Sequence, residues 1–245
     1  ELLKKYKESD QKKLFVTKPL YQRSLIVAGG PLANFLLAIV IFSSIYTFVG
    51  KDFSPASIVE VLPNSPAYIA GVKKNDVIIS INDKNVNSIM DVSRYISLST
   101  SEFINFNVLR SNQEVQLKIK PNLIESQDDL GNNVKKRVVG IRIGLLNNTV
   151  NNVKLGPTKA LYHSINEVYF ITISSYKYVW ELIRGRGDPR NLGGPIRIAQ
   201  ISGQVAQFGL LAFISTVAYI SIALGAVNLL PIPLLDGGHI VMYII

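Results

Sequence analysis

The apolar residues of this chain gather in two long uncharged windows, separated by a stretch in which apolar and polar positions alternate. Between Arg23 and Lys51 there are 27 residues without Asp, Glu, Lys or Arg. A helix rises 1.5 Å per residue, so about 20 residues cross a bilayer core of about 30 Å. Residues 24–50 therefore predict a transmembrane helix. The second window, from Ile198 to Leu235, runs for 38 residues without a charge. Its densest part begins at Phe208 and predicts another spanning segment within 208–245.

Residues 54–145 carry a period of two. Ser57–Val61, Val77–Asn82, Phe103–Leu109 and Val115–Ile119 alternate and predict half-buried strands. A turn at Arg110–Gln113 joins two of them, and Val138–Ile143 predicts a last strand after a polar stretch, 125–137, expected to be mobile. Ser65 is placed to cap a short helix with Pro66 at its first position and Gly71 at its end. Residues 88–99 put Ile89, Val92 and Ile96 on one helical face. The region reads as a compact α+β domain. Residues 150–207 differ, because Tyr162, Tyr169, Phe170, Tyr176, Tyr178 and Trp180 are interleaved with Lys159, Glu167, Lys177, Glu181 and Arg184. That mixture favours an interfacial amphipathic helix followed by a loop. A third span is the alternative, since Val168–Tyr176 is uncharged. The Arg186–Asp188 tripeptide, Arg-Gly-Asp, reads as a polar turn.

Composition narrows the classes. With 48% hydrophobic residues the chain is not disordered, and with no Cys it is neither a disulfide scaffold nor a Cys-based zinc module. The net charge is 26 − 17 = +9, a balance that points to nucleic acid or an anionic membrane surface. Part of it sits in residues 1–23, where seven Lys and Arg outnumber Glu1, Glu8 and Asp10. A short basic segment beside a span stays cytoplasmic. The 54–145 domain is then expected outside, with the lipid bilayer as partner. No aromatic-and-basic recognition motif is present, so nucleic acid is not expected. The chain opens at Glu1 without Met and stops inside an apolar run, and it reads as a piece of something longer.

Candidate chemistry concentrates in Asn228-Leu-Leu-Pro-Ile-Pro-Leu-Leu-Asp-Gly-Gly238. An ionisable residue at the end of an uncharged membrane stretch is a functional candidate by default. Pro231 and Pro233 deny helical hydrogen bonds, so the span is expected to unwind before Asp236. Unwound backbone at that depth must be buried by protein or line a polar cavity. Gly237 and Gly238 allow another chain or a metal ligand to come close. Asp236 is thus either a metal ligand or a capping carboxylate at the membrane surface.

Two resemblances sharpen this. Val61 to Asn82, with Ser65-Pro-Ala-Tyr-Ile-Ala-Gly-Val72 and Asp76, resembles a PDZ domain of the bacterial protease type, with Asn75 where that pattern has Gly. The resemblance implies a peptide groove between the strand bearing Ser57, Ile58 and Val59 and the helix bearing Val92 and Ile96, or else a domain that only blocks access. The Asn228–His239 run, together with Gly30-Pro-Leu-Ala-Asn-Phe35 and Gly193-Gly-Pro-Ile196, resembles the site-2 protease family of intramembrane zinc metalloproteases, nearest to the bacterial regulator of sigma-E protease branch.

That resemblance implies a multi-span α-helical membrane protein with an inserted α+β PDZ-like domain, in a bacterial inner membrane, with the domain periplasmic or extracellular. It implies zinc-dependent proteolysis of transmembrane substrate proteins, such as an anti-sigma factor or a signal-peptide-like segment, with the PDZ-like domain filtering access. Asp236 becomes a Zn2+ ligand, Asn228 a contact to the substrate backbone, and Pro231 and Pro233 the shapers of the unwound site. Asn34 reads as a packing residue. The family's H-E-x-x-H, which carries two His ligands and the catalytic Glu, is absent, so no catalytic residue is assigned here. Only His163 and His239 exist, and only one PDZ-like unit fits where the nearest branch has two. The alternative is a non-catalytic PDZ-bearing membrane scaffold that has lost the zinc helix.

Overall fold

The computed structural model describes residues 14–127, 133–146, 149–185 and 194–244. Most of the basic segment 1–23, the Arg-Gly-Asp tripeptide and Gly193 lie outside them. The chain forms two compact units: one holds the chain to Ser43 with Leu161–Ser175 and Ser202–Ile245, the other Ser44–Ala160 with Tyr176–Ile201.

In the helical unit, α1 (Leu20–Phe48) and α6 (Leu210–Asn228) are long and apolar enough to cross a membrane, by length and composition. Only 17% and 28% of their most apolar windows are buried by protein. A soluble core helix would be mostly covered, whereas a lipid-facing one need not be. The two helices run antiparallel along a narrow shared seam. The rings of Phe42 and Tyr219 meet edge to face with centroids 5.3 Å apart, and the Ser221 hydroxyl donates to the Asn34 carbonyl at 2.9 Å. Gly225 lies against Pro31 and Phe35. Ala38, Ala218, Ile222 and Ala226 are buried along the same faces. Small residues at the seam suit helices that associate by close van der Waals contact in lipid. α4 (Pro157–Ile183) is one continuous helix, and its Ser164 is buried and hydrogen-bonded to Ser43 at 3.1 Å. After α5 (Pro195–Ala206) and α6, the chain unwinds and resumes as α7 (Asp236–Ile244). Residues 208–244 therefore hold two helices with a break before Asp236.

The other unit is built on an antiparallel sheet. Two linker strands, β1 (Lys51–Asp52) and β10 (Asn152–Val153), pair with each other. The main sheet comprises β2 (Ala56–Val61), β3 (Val77–Ile81), β4 (Lys84–Asn85), β5 (Ile104–Arg110), β6 (Gln113–Ile119) and β9 (Ile141–Leu145). Its order is β6-β5-β3-β2-β9, with β4 on β3. The helices α2 (Pro66–Ile69) and α3 (Ile89–Ser97) cover it. Ile58, Ile78, Ile81, Val92, Ile104, Phe106, Val108 and Ile119 fill the core. The Ser65 cap forms as read, accepting from the Tyr68 N–H at 3.2 Å; Ser88 and Asp91 add a reciprocal capping box on α3. Ser111 and Asn112 both have positive φ, the geometry of a type I′ hairpin turn.

Three expectations change. The 125–137 stretch holds a hairpin, β7 (Asn122–Gln127) and β8 (Asn133–Val138), around residues 128–132, which lie outside the described set. Val138–Ile143 is not one strand, because Gly140 adopts φ +80° and separates β8 from β9. Its carbonyl accepts from Leu62 N–H at 2.9 Å and the Val139 carbonyl accepts from Ala67 N–H at 2.8 Å, so the turn is bound to the end of β2 and the start of α2. Third, β2 pairs with β3 on one side and with β9 along its length on the other. A strand with neighbours on both sides has no edge for an added peptide. Ser57, Ile58, Val92 and Ile96 are buried, Ile58, Val92 and Ile96 in the core, and Val59 alone of the expected groove residues is exposed. Strand order depends on pairings far apart in sequence, which periodicity does not reveal. The open edges of the sheet are β6 and β9.

Candidate functional site

The metal and substrate residues predicted from sequence gather at the break between α6 and α7. α6 ends as Leu229 and Leu230 N–H groups reach back to Gly225 and Val227 carbonyls. Pro231 and Pro233 then offer no N–H, and a tight turn follows, with Ile232 N–H on the Leu230 carbonyl at 2.7 Å. Leu234 takes φ +82° and is 96% exposed. A left-handed residue with a branched side chain costs about 1–2 kcal/mol, so the surrounding fold holds it there. Asp236 opens α7, half-buried, at the end where a helix favours negative charge.

Gly237 and Gly238 are buried, and what approaches them is the chain's own unwound segment. A Cβ on Gly237 would meet the Leu230 carbonyl oxygen and Leu229 backbone. One on Gly238 would meet the Ile232 carbonyl group. The double glycine thus lets α7 fold back onto residues 229–233. From α1, Gly30 comes to the same place, where a Cβ on it would sit 3.5 Å from Asp236 Oδ2. The Gly-Pro-x-x-Asn-Phe run and the Leu-Asp-Gly-Gly run, about 200 residues apart in sequence, therefore meet in one site.

The other expected residues fall as follows. Asn228 is the last residue of α6, partly buried, and Pro231 and Pro233 are exposed beside it. Asn34 accepts from Ser221 at its main-chain oxygen, a packing contact. The His239 ring is exposed and stacks on Tyr243 with centroids 6.4 Å apart. His163 lies edge to face with Tyr162 on α4.

A catalytic zinc needs three protein ligands and one open position. Among the described residues no three His, Cys, Asp or Glu side chains converge. Asp236 offers one carboxylate, which suits one coordination position. The described residues on their own do not bring three such ligands together.

In the sheet unit, the polar anchor is Asp76. Its side chain is 1% exposed and takes Arg110 Nε and Nη2, each at 2.7 Å, and the Lys73 N–H at 2.9 Å. Hydrogen bonding to Asp76 raises the Arg110 pKa above its ordinary value. Asn75 precedes it at φ +71°, where the family pattern has Gly; Asn tolerates that region better than other side chains. Arg137 on β8 donates to the Ser99 and Ser101 carbonyls at 2.5 and 2.7 Å, just past α3. Burial lowers its pKa. No local pattern flags this contact, because it joins residues 36 to 38 positions apart.

The profile of Peptidase family M50 matches residues 3–245. A protein of Agrobacterium fabrum named as a zinc metalloprotease is 35% identical over 92% of this chain and 60% of its own length. A counterpart so named in Mesorhizobium japonicum is 35% identical over 99% of this chain and 66% of its own. Metalloprotease MmpA of Caulobacter vibrioides is 31% identical over 94% and 60%. This chain thus spans three fifths to two thirds of those relatives. Among solved structures, the PDZ domain of an SdrC-like protein from Listeria monocytogenes aligns with 37% of this chain and 88% of its own, at a TM-score of 0.30 and 20% identity. A family match running almost from end to end, with relatives at 35% identity and two span-length apolar helices, shows that the chain belongs to peptidase family M50, the site-2 protease family.

Proposed function

We propose that this chain is part of a zinc-dependent intramembrane protease that cuts transmembrane protein substrates in a bacterial inner membrane. The observation that carries the reading is the meeting of Gly30 and Asp236 at a helix break. Asp236 supplies one zinc ligand, and the two His and the Glu of an H-E-x-x-H helix come from a part of the full-length protein outside residues 1–245. A bound zinc supplies an activated water and polarises the scissile carbonyl. The chain's own part is to hold the carboxylate at the head of α7 and to keep unwound backbone beside it. Asn228 and the exposed turn at Pro231–Pro233 receive the extended backbone of the substrate. An anti-sigma factor or a signal-peptide-like segment fits such a site, since both present an apolar helix that must unwind to be cut. α4 and α5 lie along the membrane interface.

The sheet unit acts as a PDZ-like filter on access. Its free edge at β9, next to the Gly140 turn, is the place for an extended peptide to add a strand. Deleting 54–145 should change which substrates are cut while leaving zinc bound.

The decisive test is Asp236→Asn in the full-length protein. Asn keeps the shape and removes the charge that balances the ion. Cleavage of a membrane-spanning substrate should be lost while expression and membrane insertion persist. Cleavage equal to wild type at matched protein levels would remove Asp236 from the site. Reporters fused after Arg23 and at Asp128 should read inside and outside. A second reading, a membrane scaffold without activity, draws on the single zinc ligand among the described residues. An upstream H-E-x-x-H in the full reading frame decides against it.

A further inference from the structure

The Asp236 carboxylate and Gly30 lie on segments that share no regular pairing, so something else must set their distance. The seam between α1 and α6 does this in two steps. Ser221, 4% exposed, donates to the Asn34 main-chain carbonyl at 2.9 Å, with the Asn34 Oδ1 at 3.5 Å. One turn further along α6, a Cβ on Gly225 would lie 3.0 and 3.1 Å from the Phe35 ring and 3.1 Å from the Pro31 carbonyl oxygen. Those separations are tighter than ordinary van der Waals contact. Gly225 is three residues before Asn228, where α6 stops, and Pro31 follows Gly30 directly. This contact between the helices is therefore adjacent to the site in both segments of the chain.

We infer that Ser221 and Gly225 are positioning residues: they fix the crossing of α1 and α6, and through it the placement of Gly30 against Asp236. Neither touches the reacting atoms. Ser221 sets the register along the seam, because its acceptor is a backbone oxygen that cannot rotate away. Gly225 sets the separation, because on one side it meets backbone, which yields less than a side chain. The Phe35 ring is the adjustable part. Misplacing catalytic groups by about 1 Å costs on the order of 100-fold in rate, and a few tenths of an ångström correspondingly less. The inference rests on the protease reading above.

The test uses full-length protein in membranes with a cleavable membrane-spanning substrate. Gly225→Ala should lower kcat several-fold with KM nearly unchanged. Gly225→Val should lower it about 100-fold. Adding Phe35→Leu to Gly225→Ala should recover part of the loss, since it removes the two ring atoms that a Cβ meets and leaves the Pro31 carbonyl contact. Phe35 and Gly225 share the same space, so their coupling is read in kcat at matched levels of inserted protein. Ser221→Ala should lower kcat, and Ser221→Thr, which keeps the hydroxyl, should retain more. Wild-type kcat in Gly225→Ala and Ser221→Ala, or no recovery by Phe35→Leu, overturns the inference. A second measurement needs no activity. The chain has no cysteine, so Asn34→Cys with Ser221→Cys gives a clean disulfide probe of the seam. Its yield should fall when Gly225→Val is added, and an unchanged yield also overturns the inference. Full cleavage by Asp236→Asn would sink the protease reading while leaving the disulfide result to judge the seam.

Discussion

Placing a methyl group on Gly238 tests whether α7 must fold back onto the unwound segment. The Cβ of Gly238→Ala would lie 2.8 Å from the Ile232 carbonyl carbon, closer still to its oxygen, and 3.2 Å from Pro233 N. Real Cβ atoms essentially never approach within 3.0 Å, and ordinary contact begins near 3.4 Å. The segment must therefore withdraw by at least 3.4 − 2.8 = 0.6 Å from the carbonyl carbon, about 1 Å once the oxygen is counted. All the contacts are backbone, between two prolines that limit its freedom, so no side-chain rotation relieves them. Overpacking of this kind costs about 1–3 kcal/mol in stability. On the protease reading, a shift of about 1 Å at Asp236 should lower the cleavage rate about 100-fold, equivalent to about 2.7 kcal/mol of barrier. The assay is kcat for a membrane-spanning substrate at matched levels of inserted protein. Gly29→Ala is the control, since nothing lies within 4 Å of a Cβ there, and it should be neutral or gain up to about 1 kcal/mol of helix propensity. Gly238→Ala retaining half of wild-type activity would refute the close approach.

Other outcomes follow from single contacts. Arg110→Ala strands the buried Asp76 charge and should cost about 3–5 kcal/mol, read as a fall in the thermal midpoint of the sheet unit; Asp76→Asn should cost less, because Arg110 keeps access to water. Asn75→Gly should leave that midpoint unchanged or slightly raised, while Asn75→Val should lower it by about 1–2 kcal/mol in stability, because Val resists φ +71°. Leu234→Gly should keep the turn before Asp236 and Leu234→Val should disturb it, measured as cleavage at matched expression.

Signals confined to a few residues were readable in advance. Ser65 and Pro66 announce their cap because capping is settled within four residues. Pro231 and Pro233 announce the break before Asp236 because proline acts on its own helical turn. What escaped was everything decided by distant pairing. The alternation of Ser57–Val61 is the same in a central strand and an edge strand, so the open edge was sought one strand too far inward. The β7–β8 ribbon was missed because Glu125, Lys135, Lys136 and Arg137 read as solvated loop, and its order comes from pairing and from the Arg137 bonds past α3. The sequence allowed another chain or a metal ligand to approach Gly237 and Gly238, whereas the neighbour is the segment just upstream, a contact that depends on how the break folds.

The short ribbon of β1 and β10 has a consequence for how the protein assembles. Lys51 faces Val153 and Asp52 faces Asn152, and Ala56 faces Leu145 within the sheet, so the chain leaves and re-enters at nearly one point. Closing a flexible loop of about 100 residues costs about 4 kcal/mol of chain entropy. A sheet that folds first brings its own ends together and removes that cost from the pairing of the linkers. Insertion of the domain then asks little of the flanking chain, because Lys51 and Val153 end side by side. Lineages could exchange, duplicate or lose the cassette between Lys51 and Val153 without redesigning the membrane part, provided the ends of the replacement close as tightly.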